Sequence, residues 1–243
     1  MLSQTSSVTI RVLRQIAHDR RFVAFSMIVP AVVIYMLSTF FDAVDNPIFE
    51  PKEFVPPVGA FIVHFITYVL CAIVLVRERA AHTLARMFVS GYRRGSIIGG
   101  YVTAYSLIAT LQSLVVMIEL NALFELHYSL SKFLSLYVVM WMLAIISIAL
   151  GIFVSNFARS EAQVFPFIPL ILMPSVFFSG LVVPVEKLPD WAGTLAYITP
   201  MYYANQAIRP IIGAEGNGGL IFALLAYGVI VMALAVLTLR EQE

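Results

Sequence analysis

The chain has 243 residues, 60% hydrophobic and 12% charged, with a formal net charge of +1 and a mean hydropathy of +0.91. Water-soluble domains average roughly 45–50% apolar and about 25% charged residues. The apolar excess is too large for one water-facing core, so lipid must solvate much of the surface, and no nucleic-acid partner is expected.

Residues 3–21 come first. Val8, Val12 and Ile16 recur every four residues while Arg11, Arg14, His18 and Arg21 fall on another face. This predicts an amphipathic helix at the membrane interface; a simple anchor on anionic lipid is the plainer use of such a helix. The first long apolar run, 22–41, follows these arginines and reads as a retained anchor rather than a cleaved leader.

A bilayer core about 30 Å thick needs roughly 20 apolar residues in a helix. Six stretches meet that: 22–41, 58–76, 97–120, 133–154, 164–183 and 219–239. Backbone in lipid must satisfy its own hydrogen bonds, so they should be helices. The expected fold is an all-α integral membrane protein, a single transmembrane domain over 1–243 with six transmembrane helices. Eleven of the fifteen Lys and Arg fall on one side of that arrangement; Lys52, Lys132, Lys187 and Arg209 fall on the other. The positive-inside rule puts the richer side, with both termini, in the cytoplasm. The plasma (inner) membrane is the expected location.

Three connections carry more detail. Residues 42–57 are acidic, contain four prolines and should form an irregular outer loop. Residues 77–96, RERAAHTLARMFVSGYRRGS, place Arg79, Arg86 and Arg93 seven apart, with Leu84, Met87 and Phe88 as an apolar patch. A short amphipathic cytoplasmic helix ending near Gly91 fits. A solvated basic loop would leave that patch uncovered. After the fifth run, Gly180 and prolines 184, 189 and 200 break the chain. Residues 181–200 read as a re-entrant or interfacial outer hairpin, with Trp191, Tyr197, Tyr202 and Tyr203 at headgroup level.

Catalytic and nucleotide motifs are missing. No phosphate loop occurs, and none of the three lysines follows a glycine. No zinc or nucleophile signature appears either. The single cysteine, Cys71, permits no disulfide within the chain. His64 and Cys71, seven apart, could share a face, but two ligands fall short of a metal site, so no metal is expected. Glu119 is the one acidic residue deep enough to weigh as intramembrane; a helix-end charge reaching the interface is the competing reading.

Three stretches together resemble the ABC-2 family of transport permeases: LRQIAHDRRF before the first run, RERAAHTLARMFVSGYRRGSIIGGY, and ARSEAQVFPFIPLILMPSVFFSGLVVPVEKLPDWAGTLAYITPMYYANQAIR. The middle stretch is similar to the family's R-E-R, T-L and R-R pattern. The last resembles its loop Arg and Glu, proline-bearing fifth span, S-G, L-P, W and final P and Y. The chain departs from the pattern at Arg86 and Met87, where a Glu is usual after T-L, at Ser90-Gly91 for S-P, and at Gly100 for Lys.

The resemblance implies a permease pairing with a homologous or identical chain and with two ATP-binding-cassette ATPase subunits. ATP and magnesium would sit on those partners, and this chain would not be an enzyme by itself. Glu78, Arg79, Thr83, Leu84, Met87, Phe88, Tyr92 and Arg93 would couple to the ATPase. Phe61, Phe65, Tyr68, Phe167, Met173, Phe177 and Phe178 would line the substrate path, although lipid-facing or packing roles compete for each. Gly180, Pro184, Pro189 and Trp191 would form an outer gate. The resemblance implies export, of multidrug type, and an aromatic and methionine-rich path suits lipophilic or amphipathic molecules. An ion-coupled secondary transporter without an ATPase is the alternative; a membrane-embedded enzyme lacks a polar constellation, and a channel lacks a filter-like sequence.

Overall fold

All regular structure in the computed structural model is helical; it describes residues 2–43 and 51–239. Five helices are long and apolar enough to cross a membrane: α2 (Arg20–Ala43), α3 (Pro51–Ala80), α5 (Arg94–Leu123), α6 (Leu130–Ser155) and α11 (Leu220–Thr238). Shorter helices complete the chain: α1 (Leu2–His18), α4 (Thr83–Val89), α7 (Glu161–Val164), α8 (Phe167–Phe177), α9 (Asp190–Ala196) and α10 (Pro200–Ile212), with one 3-10 turn at Val185–Lys187.

α6 is the centre, packed by α3, α5, α10 and α11. Small residues let α3 approach it: Ala72 and Gly151 meet where a side chain on Gly151 would strike the α3 backbone. Within their most apolar windows, 67% of α3 and 78% of α6 is buried, against 22% of α2 and 17% of α11. The outer pair therefore offers its apolar surface to lipid.

The N-terminal pattern forms α1, with Val8, Val12 and Ile16 buried as the spacing predicts. The cover is chiefly α5. Gly100 makes this close approach feasible: a Cβ there would lie 2.5 Å from Val8 Cβ. A lysine would exclude α1 from this seat.

Two expectations about where helices begin and end differ from the structure. Within the loop predicted over 42–57, residues 44–50 lie outside the described residues, but Pro51–Pro57 already belongs to α3. Proline is tolerated in a first turn. Pro56 leaves the Lys52 carbonyl without its helical donor, and the Tyr128 hydroxyl reaches that oxygen at 3.4 Å. The fifth run is also shorter than 164–183. Pro166 stands at the break between α7 and α8, and the helix ends at Phe177 before Gly180 turns with φ 82°. At 1.5 Å per residue, α8 covers about 16 Å, half a hydrocarbon core.

Candidate functional site

The basic end of the bundle is built around the end of α3. Arg77, Glu78 and Arg79 are successive helical residues and point about 100° apart. Arg77 Nε pairs with Glu161 of α7 at 2.9 Å. Glu78 is buried and pairs with Arg11 of α1 at 3.2 Å; Arg11 also donates to the Tyr101 hydroxyl of α5. Arg79 donates to the carbonyls of Ser155 at 2.6 Å and Ala158 at 3.0 Å and to Asn156 Oδ1 at 3.2 Å. Asn156 in turn donates to the Ala235 carbonyl and the Thr238 hydroxyl of α11.

The shared basic face expected for Arg79, Arg86 and Arg93 does not form. His82, at φ 53°, breaks the helix between α3 and α4. Arg79 therefore belongs to α3, Arg86 to α4, and Arg93 caps α5. Leu84 and Met87 are buried in the same apolar cluster as Val8, Val12 and Ile97, and Phe88 is partly buried against it. The patch read from the sequence is thus covered by the chain itself. What α4 leaves outside is Val89, 84% exposed, with Arg86, Ser90 and Gly91; Arg93 and Arg94 follow, also exposed. Thr83 and Tyr92 are half-buried. Gly91 closes α4 at φ 78°, with Tyr92 N donating to Met87 O, a left-handed end that a proline could not adopt.

Gln4 locks this turn to α1. Its Nε2 donates to Gly91 O at 3.1 Å and its Oε1 accepts from Arg93 N at 3.4 Å. Nothing in the sequence singles out Gln4 or Val89; a polar residue at an exposed helix start and a valine beside a turn give no pattern to read.

Along the bundle, the aromatic and methionine residues expected for a path divide into two groups. Phe65, Met173 and Phe177 are exposed, as is Leu170. Phe61, Phe167 and Phe178 are half-buried, and Phe61 and Phe65 lie 6.2 Å apart. Tyr68 is fully buried, and its hydroxyl donates to Phe167 O at 3.1 Å. Nearby, His64 Nδ1 lies 2.7 Å from Ser147 Oγ and its Nε2 3.4 Å from Ser175 Oγ. α8 is thus tied to α3 at two heights by polar contacts, and His64 joins the upper one to Ser147 of α6. His64 is occupied by serines, and among the described residues no three His, Cys, Asp or Glu side chains converge as metal ligands. Glu119 lies about one turn from the end of α5 and is half-buried.

At the opposite end, Phe178 and Trp191 meet edge to face at 5.9 Å, with Trp191 exposed. Asn205 Nδ2 donates to Ser179 O at 2.9 Å. A Cβ on Gly180 would lie 3.1 Å from that nitrogen. Pro184 and Pro189 bracket the 3-10 turn. The segment after it is helical, since α9 and α10 follow, and α10 buries Met201, Tyr202, Ala204, Asn205, Gln206, Ala207 and Ile208.

Comparison with known proteins fits this architecture. Residues 3–212 match the ABC-2 type transporter family. The chain is 26% identical over 167 residues to the "Probable multidrug ABC transporter permease YbhR" of Escherichia coli K12, covering 68% of this chain and 45% of that protein. It is 24% identical over 207 residues to ABC transporter G family member 20 of Dictyostelium discoideum, covering 82% of this chain and 28% of that one. The chain therefore spans less than half the length of these relatives. With the family match running from α1 to the end of α10, the chain belongs to the ABC-2 type transporter family and is a multi-pass membrane protein.

Proposed function

We propose that this chain is the membrane-spanning subunit of an ATP-driven exporter, working with a second permease chain and a pair of ATP-binding-cassette ATPase subunits. The α1–α4 platform carries the proposal: a short helix held by Leu84, Met87 and Gln4 presents Val89 among Arg86, Arg93 and Arg94. An exposed apolar residue in a basic rim on a fixed element suits docking to a partner. Both termini and this platform face the cytoplasm of the plasma membrane, by the charge asymmetry. Glu78, Arg79, Leu84 and Met87 support coupling from inside, by fixing α3 and α4, while Thr83, Phe88, Tyr92 and Arg93 border the contact.

α7 and α8, with the turns up to Val183, supply a sixth, interrupted span. The exposed face of Phe65, Leu170, Met173 and Phe177 meets its counterpart on the second permease chain, and lipophilic or amphipathic molecules pass along it. The segment from Gly180 through Trp191 closes the outer end. ATP-driven closure of the ATPase pair rocks the two permeases relative to one another. This chain itself binds no ATP.

The test is co-purification of the tagged chain from its native membranes in mild detergent, with identification of bound protein and an ATP hydrolysis assay. Val89→Asp combined with Arg86→Glu changes only exposed positions. A Walker-type ATPase that accompanies the wild type and is lost from this variant, at unchanged elution volume, supports the reading. If no ATPase accompanies the chain and it alone moves solute down an ion gradient, the reading fails and Glu119 becomes the residue to examine.

A further inference from the structure

At the end of the bundle opposite α4, a cavity of about 250 Å³ opens between the first turn of α3, the turn after α8 and the last turns of α10. Its walls combine apolar residues, including Pro57, Leu181 and Pro184, with polar surface, and two charged residues line it: Glu53 from α3 and Arg209 from α10. Glu53 is exposed and Arg209 half-buried. They do not approach within the 4.0 Å of an ion pair, and among the described residues neither has another salt-bridge partner.

A residue of the cavity wall also carries an orphaned acceptor. Asn205, 1% exposed, lines it. Its Nδ2 donates to Ser179 O, which fixes the amide orientation. Its Oδ1 is then buried without a hydrogen-bond partner. A buried carbonyl oxygen without a donor is costly, and a ligand whose N–H or O–H reaches it as the Asn205 side chain shifts toward the cavity recovers that cost.

These three groups together specify a ligand. An anion alone gains Arg209 and is opposed by Glu53; a cation alone meets the reverse. A head carrying a phosphate and a primary ammonium satisfies both, and the ammonium supplies the N–H that Asn205 Oδ1 lacks. A quaternary ammonium has no such hydrogen. Pockets that enclose a whole drug-sized ligand run from about 300 to 1,000 Å³, so this one holds the head and leaves apolar tails in the bilayer. We propose that this cavity is a binding site for the phosphoethanolamine-type head of an amphiphile. The proposal rests on the exporter reading for its place beside the outer gate, and it names the chemical class that would be met there.

The test measures binding to the purified full-length chain by titration calorimetry in detergent. The probes are dihexanoyl phosphatidylethanolamine, the matching phosphatidylcholine and phosphatidylglycerol, and free O-phosphoethanolamine. The ethanolamine lipid should bind at least about tenfold tighter than the other two lipids, the scale of one lost hydrogen bond to a charged group. Arg209→Gln should weaken all three lipids together, because each carries the phosphate, and Glu53→Gln should remove the preference over phosphatidylglycerol. Glu53 is exposed, so its variant tests the site without risk to the fold. Equal binding of all three lipids, or variants that bind as the wild type does, overturns the proposal. Free O-phosphoethanolamine binding as tightly as the lipid assigns the site to a soluble head; binding of the lipid alone assigns it to the membrane, and the head chemistry stands in both. ATPase co-purification is read separately, so a permease without an ATPase that still shows the lipid preference sinks the exporter reading and not the site.

Discussion

Gly151→Ala tests whether the α3–α6 seam is as tight as its geometry requires. An added Cβ would lie 2.8 Å from Ala72 N and from Tyr68 O, and 3.0 Å from Cys71 C. All three are backbone atoms, so no side chain can rotate away. Ordinary contact begins near 3.4 Å, and the helices must separate by roughly half an ångström along a packed seam, in an interior that transmits rather than absorbs such shifts. Overpacking typically costs about 1–3 kcal/mol. Higher helix propensity of alanine returns up to about 1 kcal/mol, so the net loss is about 2 kcal/mol when the clash is with backbone. For a chain of this size, that corresponds to a fall of about 4–8 °C in the melting midpoint, read by fluorescence-detected size-exclusion after heating in detergent. Gly193→Ala in α9 is the control, since nothing lies within 4 Å of its Cβ; it should be neutral or slightly stabilising. A Gly151→Ala chain that melts at or above the wild type, with the control also unmoved, would refute the close seam.

Two other outcomes follow from the same structure. Arg79→Lys should lower the midpoint despite keeping the charge, because one ammonium cannot reproduce the planar fork that meets Ser155 O, Ala158 O and Asn156 Oδ1; a loss of about 1.5–3 kcal/mol is expected, and Arg79→Gln should cost no less. Cys71 is buried between α3 and its neighbours, so a maleimide should label it in the folded chain only after denaturation, as mass spectrometry would show; rapid labelling of the native chain would mean that α3 is solvated there.

Much of this architecture is legible because lipid imposes simple rules. Apolar runs of span length mark α2, α3, α5, α6 and α11, and the four-residue period of Val8, Val12 and Ile16 marks α1. Helix ends are harder to read. Pro51–Pro57 reads as loop because proline is a breaker, yet three prolines fit the first turns of α3 once Tyr128 reaches the Lys52 carbonyl. α10 is hidden because Pro200, Pro210 and Gly213 suggest breaks, whereas Pro200 opens the helix, Pro210 falls in its last turn and Gly213 caps it at φ 92°. The fifth run fails in the opposite way: hydropathy is blind to Pro166 and Gly180, and both limit α8.

The R-E-R segment shows why a motif can be found correctly while the work of its residues is misplaced. Sequence alone records three charges next to a connecting loop, and charges near a loop read as surface. The helical turn sends each one elsewhere: Arg77 to α7, Glu78 to α1, Arg79 to the end of α6. Through Asn156 the last of these also reaches α11. Of the three only Glu78 is buried, where a charge is costly unless paired; Arg79 is half-buried and Arg77 exposed, and each is bound to a different element, so the end of α3 acts as a junction. A push on the α1–α4 platform therefore has a connected route through Arg11 and Glu78 into α3, and from α3 through Tyr68 and His64 into α8. In the proposed exporter, the partner would need to grip only the exposed Val89 rim, because Gln4, Leu84 and Met87 seat that rim against α1 and the Arg11–Glu78 pair ties α1 to α3.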